Sequence, residues 1–167
     1  YTCALIDSIV DVPADQGSWV RVYFRRSHYD NTSAQYPIER YDLHRRVDDP
    51  ALAAAVLSEG KLCEDGRVEY EGRKFVLDGE LTRPEAGEAA SADRRYTAGD
   101  PAAGSYKAAP PGVWEVTGTV SASQQEQYIA LAPTTADSSA AIPWSVYYLS
   151  AHSTNPALFF DSPADSG

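Results

Sequence analysis

Methionine is absent from the 167 residues, histidine occurs three times and cysteine twice. Each scarcity excludes a kind of chemistry. His28, His44 and His152 are too few and too scattered for an H-E-x-x-H metal site. Cys3 and Cys63 lack the C-x-x-C spacing of zinc ribbons and redox motifs. They are either a disulfide, as suits an extracellular chain, or two separate thiols, and the bridge is the expectation carried forward. No apolar run approaches the roughly 18 residues needed to cross a bilayer. Basic residues are outnumbered, 14 against 24 acidic, and the net charge of -10 argues against a phosphate-rich partner such as nucleic acid. Nucleophile-elbow, Walker and dinucleotide motifs are missing as well. The chain opens at Tyr1 with no signal peptide, which reads as a processed chain or a fragment.

What is present is apolar, aromatic and patterned. Hydrophobic residues make up 43%, with 11 Tyr and 3 Trp, a globular composition that favours strands. The first segment, TCALIDSIVDV, reads as a strand that ends at Pro13. DVPADQG then supplies turn residues. In Trp19–Arg25, Val20, Val22 and Phe24 fall on one face and Arg21, Tyr23 and Arg25 on the other, the signature of a half-buried strand. Ile38–Arg46 repeats the pattern, with Tyr41 and Leu43 opposite Asp42 and His44. Strands are also expected at Val113–Val120, Gln127–Ala132, Ser145–His152 and Ala157–Asp161.

The middle differs. From Pro50 to Gly60 the chain has high helix propensity, proline near its start and glycine at its end. Val68–Leu77 reads as a hairpin turning at Glu71–Gly72. Arg83–Pro111 is rich in Ala, Gly, Pro and Glu, a long irregular stretch. The expected organisation is one β-sandwich domain over 1–167, of about seven strands, with 48–111 an insertion between sandwich strands.

DVPADQG, WVRVYF and IERYDLHRR, in that order, resemble the opening of bacterial fibronectin type III domains. Phe24 stands where that family usually has Trp, and Leu43 where it often has Val. VYYLSAHS resembles the family's penultimate strand, with Ser145 in the place of its corner tyrosine. The ending DSPADSG resembles those that lead into a following segment in large secreted bacterial proteins. The resemblance covers about 1–47 and 112–167. It implies a fibronectin type III/immunoglobulin-like sandwich, a secreted or cell-surface location and a tandem arrangement, and it fixes no function.

Candidate sites follow from residue chemistry. Trp19, Tyr23, Tyr36 and Trp144 are aromatics available for a sugar or a neighbouring protein, whereas Trp114 reads as core. Asp11 and Asp15 bracket a turn; they either hold calcium or cap the turn through nearby N–H groups. Calcium is the only cofactor considered. His44 and His152, opposite the apolar faces of their strands, are expected on the surface. Asn31-Thr32-Ser33 matches a glycosylation sequon. The expected function is an extracellular structural or assembly module, a surface-protein domain or filament subunit, acting on other subunits or neighbouring domains. Its strand Tyr1–Val10 is the candidate for pairing with a neighbour's sheet edge. The alternative is a carbohydrate- or protein-binding module using the exposed aromatics and the insertion. An enzyme would need a site formed within the insertion. No catalytic residue, nucleic-acid partner or membrane insertion is expected.

Overall fold

A strand with one apolar face is stable only when that face packs against another apolar layer. The segments with period-two patterns do this in two antiparallel sheets. The structure, a computed structural model, describes residues 3–13, 19–77, 112–134 and 144–167. Its elements run β1 (Leu5–Asp11), β2 (Trp19–Arg25), β3 (Ile38–Arg46), α1 (Pro50–Glu59), β4 (Lys61–Leu62), β5 (Val68–Tyr70) and β6 (Arg73–Leu77). After them come β7 (Val113–Ser121), β8 (Gln127–Pro133), β9 (Val146–Ser153), β10 (Phe159–Asp161) and β11 (Asp165–Ser166). The class is all-β with one short helix, as expected.

Sheet A has the order β1-β2-β8 and sheet B the order β10-β9-β3-β7-β6-β5-β4, with β11 also on β9. The two sheets enclose the main core. Sheet A contributes Val20, Val22, Phe24, Tyr128, Ala130 and Ala132. Sheet B contributes Tyr41, Leu43, Tyr147, Leu149, Ala151 and Phe160. Phe24 stacks on Tyr128 at 5.3 Å and meets Tyr41 edge-on at 5.2 Å. Such pairs contribute about 0.5–1.5 kcal/mol beyond the area they bury.

The middle of the chain forms the expected helix and hairpin. Asp49 caps α1 by accepting from the Ala51 N–H at 2.9 Å, and Pro50 occupies the first turn, where no donor is missed. The hairpin turns at Glu71 (φ 49°) and Gly72 (φ 73°), both left-handed, as a tight two-residue connection requires. β6 pairs with β7, so the hairpin prolongs sheet B. Val56 of α1 packs with Val68, Phe75 and Val113 in a second small core. Gly60 is needed by contact: a Cβ there would collide with the Val68 side chain and the Val56 carbonyl. Residues 78–111, the remainder of the expected insertion, lie outside the described residues.

Candidate functional site

Sheet B curls into a half-barrel, and its side away from sheet A lines an open cavity of about 400 Å³. Period two on neighbouring strands puts like positions side by side there. On β3 the outward residues are Arg40, Asp42 and His44, and on β9 they are Tyr148, Ser150 and His152. Register aligns them: Asp161 of β10 faces Ser150, Ser150 faces Asp42, and Asp42 faces Thr119 of β7. This polar rung is internally bonded. Ser150 Oγ donates to Asp161, and Thr119 Oγ1 donates to Asp42 Oδ1 at 2.8 Å.

Asp42 is the hub and is fully buried. Besides Thr119 it takes Arg67, which reaches over from the segment before β5, and Arg40 at 3.4 Å. His152 Nε2 stands 3.0 Å from its Oδ2. Burial alone would raise the Asp42 carboxyl. The hydrogen bond and attraction of His152, the Arg67 guanidinium and the Thr119 hydroxyl outweigh burial and hold it well below the usual carboxylate range. Two ring pairs flank the rung: His44 lies parallel to Tyr148 at 4.4 Å, and His152 stacks on Phe159 at 5.5 Å.

The expectation of surface histidines is therefore corrected. His44 is buried and His152 half-buried. The reason is the segment after α1: Arg67 reaches Asp42, and Val76 and Leu77 of β6 line the cavity in front of a sheet face that would otherwise meet water. The face opposite an apolar one is exposed only while nothing else folds over it. Ser150 and His152 share that face, but the Ser150 hydroxyl goes to Asp161 and His152 Nε2 to Asp42. This is no arrangement for activating a nucleophile, which needs the hydroxyl on the imidazole.

The other sequence candidates are dispersed. Trp19 and Tyr23 share the outward face of β2, where Trp19 is exposed and Tyr23 half-buried. Trp144 is also exposed, just before β9. Tyr36 is exposed at the opposite end of the strands, just before β3. Trp114 is buried against Tyr148, as its core reading required. Asp11 ends β1 on the surface, and Asp15 lies outside the described residues. Among the described residues no group of three or more His, Cys, Asp or Glu is placed to hold a metal ion.

Cys3 and Cys63 are both free thiols, which corrects the expected bridge. Cys3 packs against the main core just before β1 of sheet A, whereas Cys63 follows β4, the outermost strand of sheet B. Burial raises the Cys3 thiol above its ordinary value. The sequon asparagine is engaged locally: Asn31 Nδ2 donates to the His28 carbonyl at 2.6 Å, and its Oδ1 accepts from the Ser33 N–H at 2.9 Å.

Sequence reasoning passed over Asp30, taken as loop. Its buried carboxylate accepts from Tyr41 at 2.9 Å, Tyr128 at 2.5 Å and the Gln124 N–H at 3.1 Å, pinning the two sheets together at one end. It also passed over Glu115, which accepts from Arg45 at 2.6 Å and Arg73 at 2.7 Å. Asp30 sits among polar loop residues and Glu115 between Trp114 and Val116 on a strand, and nothing in either setting marks the partners they find.

No family model matches the chain, and no curated protein or solved structure is similar to it.

Proposed function

We propose that the chain is a fibronectin type III-like sandwich that serves as a structural or assembly module outside the cell, working through protein–protein contacts rather than catalysis. For the fold, the strand order supports the reading. The set β1-β2-β8 faces the set β10-β9-β3-β7, with the helix and hairpin inserted between β3 and β7. A corner tyrosine is available too. Tyr147, two residues beyond Ser145, donates its hydroxyl to the Pro133 carbonyl at 3.2 Å, tying the start of β9 to the end of β8. The extracellular location rests on the sequence resemblance.

For the contact, the carrying observation is β8. It is an edge strand of sheet A, its seven residues QYIALAP include no charge, and Ile129 and Leu131 are each 55% exposed. Edge strands usually carry lysine, proline or a bulge that discourages pairing. Beside β8 on the same face lie Tyr23 and Trp19 of β2, and Val10 of β1 follows across the sheet. A largely apolar face next to an edge guarded only by Pro133, at the last position of β8, suits another sheet, and a second copy of the chain or a neighbouring module supplies one. The segment Tyr1–Val10 is less suited to the role, because β1, the other edge of sheet A, carries the charge of Asp7 and a bulge between Ile6 and Ser8.

Sedimentation velocity over a concentration series tests the contact. The wild type is expected to associate, and Leu131→Lys to stay monomeric with an unchanged unfolding midpoint. Identical sedimentation of the two proteins would remove β8 from the contact. Calcium and nucleic acid have no part in this reading.

A further inference from the structure

The cavity on the concave side of sheet B lies across the molecule from β8 and is independent of the assembly contact. Its size falls within the roughly 300–1,000 Å³ of small-molecule sites. Its wall combines three features. The stacked pair His152–Phe159 provides flat, part-exposed ring surface. A hydroxyl and a carboxylate, Ser150 and Asp161, are fixed together on adjacent strands. The half-buried imidazole of His152, with Nε2 3.0 Å from Asp42 Oδ2, lines the cavity.

Charge narrows the ligand class. The guanidiniums of Arg40 and Arg67 at the wall are already directed at Asp42, just behind it. Asp65 at the rim has Lys74 and Arg67 at 3.9 Å. An anion would therefore have to compete with Asp42 for both cations, and for Arg67 with a buried ion pair. A cation would find Asp65 and Asp161 already partnered, and Glu39, exposed to water at the rim, carries no ion pair among the described residues. A neutral ligand with several hydroxyls pays neither penalty. Its hydroxyls exchange bonds with Ser150, Asp161 and His152, and its C–H faces lie on the rings.

We propose that this cavity binds a neutral saccharide of one or two rings. The residues that would hold it are Ser150, His152, Phe159 and Asp161, from β9 and β10. None of the aromatics singled out in the sequence takes part. Arg67 closes the site from the insertion, so the insertion serves as one wall of a binding pocket.

The test is an NMR titration of the whole ¹⁵N-labelled chain with glucose, galactose, mannose, N-acetylglucosamine and their disaccharides, with citrate and lysine methyl ester as charged probes. At least one sugar is expected to shift the amides of Tyr148–Ser153 and Phe159–Asp161, and to leave β2 and β8 unmoved. Phe159→Ala should weaken that sugar about tenfold or more, a loss of about 1.4 kcal/mol. Ser150→Ala serves as the second variant should Phe159→Ala disturb the spectrum elsewhere. The proposal is overturned if no sugar moves these amides at about 10 mM, a range that detects even Kd values near 1 mM. It is also overturned if a charged probe moves them more strongly than any sugar, or if both variants bind as the wild type does.

Discussion

A carboxylate with no solvent exposure and four donors around it is the most consequential single group in the molecule. Removing Asp42 strands Arg67 and His152 against a covered sheet face. Loss of one partner from a buried ion pair costs about 3–5 kcal/mol, and Asp42→Ala is expected to lower stability to urea by that order. Its titration gives a second expectation. The folded-state carboxyl lies below its ordinary value of 3.8, so the unfolded chain takes up the proton first as pH falls. The stabilisation is complete above about pH 5 and is lost progressively through and below pH 4. Glu115, held low by Arg73 and Arg45 against the opposing effect of burial, acts in the same sense. Urea midpoints measured from neutral to acid pH should decline in the wild type and decline less in Asp42→Asn, and equal slopes would take Asp42 out of the account. None of this was legible in the sequence. Asp42 follows the rule for an outward position on β3, and Arg67, which covers it, is 25 residues away along the chain. The inward residues were legible, because Val20, Val22 and Phe24 alternate with charged or polar neighbours and are buried where that alternation puts them.

The elements follow local signals closely, but their partners do not. Pro50 and Gly60 mark the ends of α1, and Glu71–Gly72 marks the hairpin, since these positions have backbone requirements that few residues meet. That β6 pairs with β7 is another matter: Leu77 and Val113 are register partners across a long intervening segment, and periodicity carries no information about which edge a strand will join. The junction of helix and hairpin gives a prediction at this scale. Gly60→Ala forces a Cβ onto Val68 and the Val56 carbonyl, where backbone cannot yield cheaply. Crowding of this kind costs about 1–3 kcal/mol. Phe75→Ala, which empties the centre of the small core, should cost about 3–5 kcal/mol. Hydrogen exchange distinguishes local from global damage. Both variants should lose protection in α1 and β4–β6 and keep it in β2 and β8, whose core is separate. Uniform loss across both sheets would mean that the small core and the main core unfold as one unit.

For the whole molecule, net charge and surface pattern oppose each other. A charge of -10 makes two copies repel at distances up to the screening length, about 10 Å at 0.1 M salt. The face proposed for contact is held together differently. Ile129, Leu131, Trp19 and Val10 are uncharged, and burying apolar surface is insensitive to screening. Arg21, in register between Val10 and Leu131, is the cation at the centre of that face, and a single charge does not offset the whole. Adding salt therefore weakens the repulsion more than it weakens the contact. Association followed by sedimentation should strengthen as ionic strength rises from about 10 mM to about 150 mM, the reverse of what ion pairing across the interface would give. Leu131→Lys should stay monomeric at both salt concentrations, because a lysine on an edge strand must be desolvated in any sheet-to-sheet contact. Association that weakens with salt would instead assign the contact to Arg21 and carboxylates of the partner, and β8 would be a bystander.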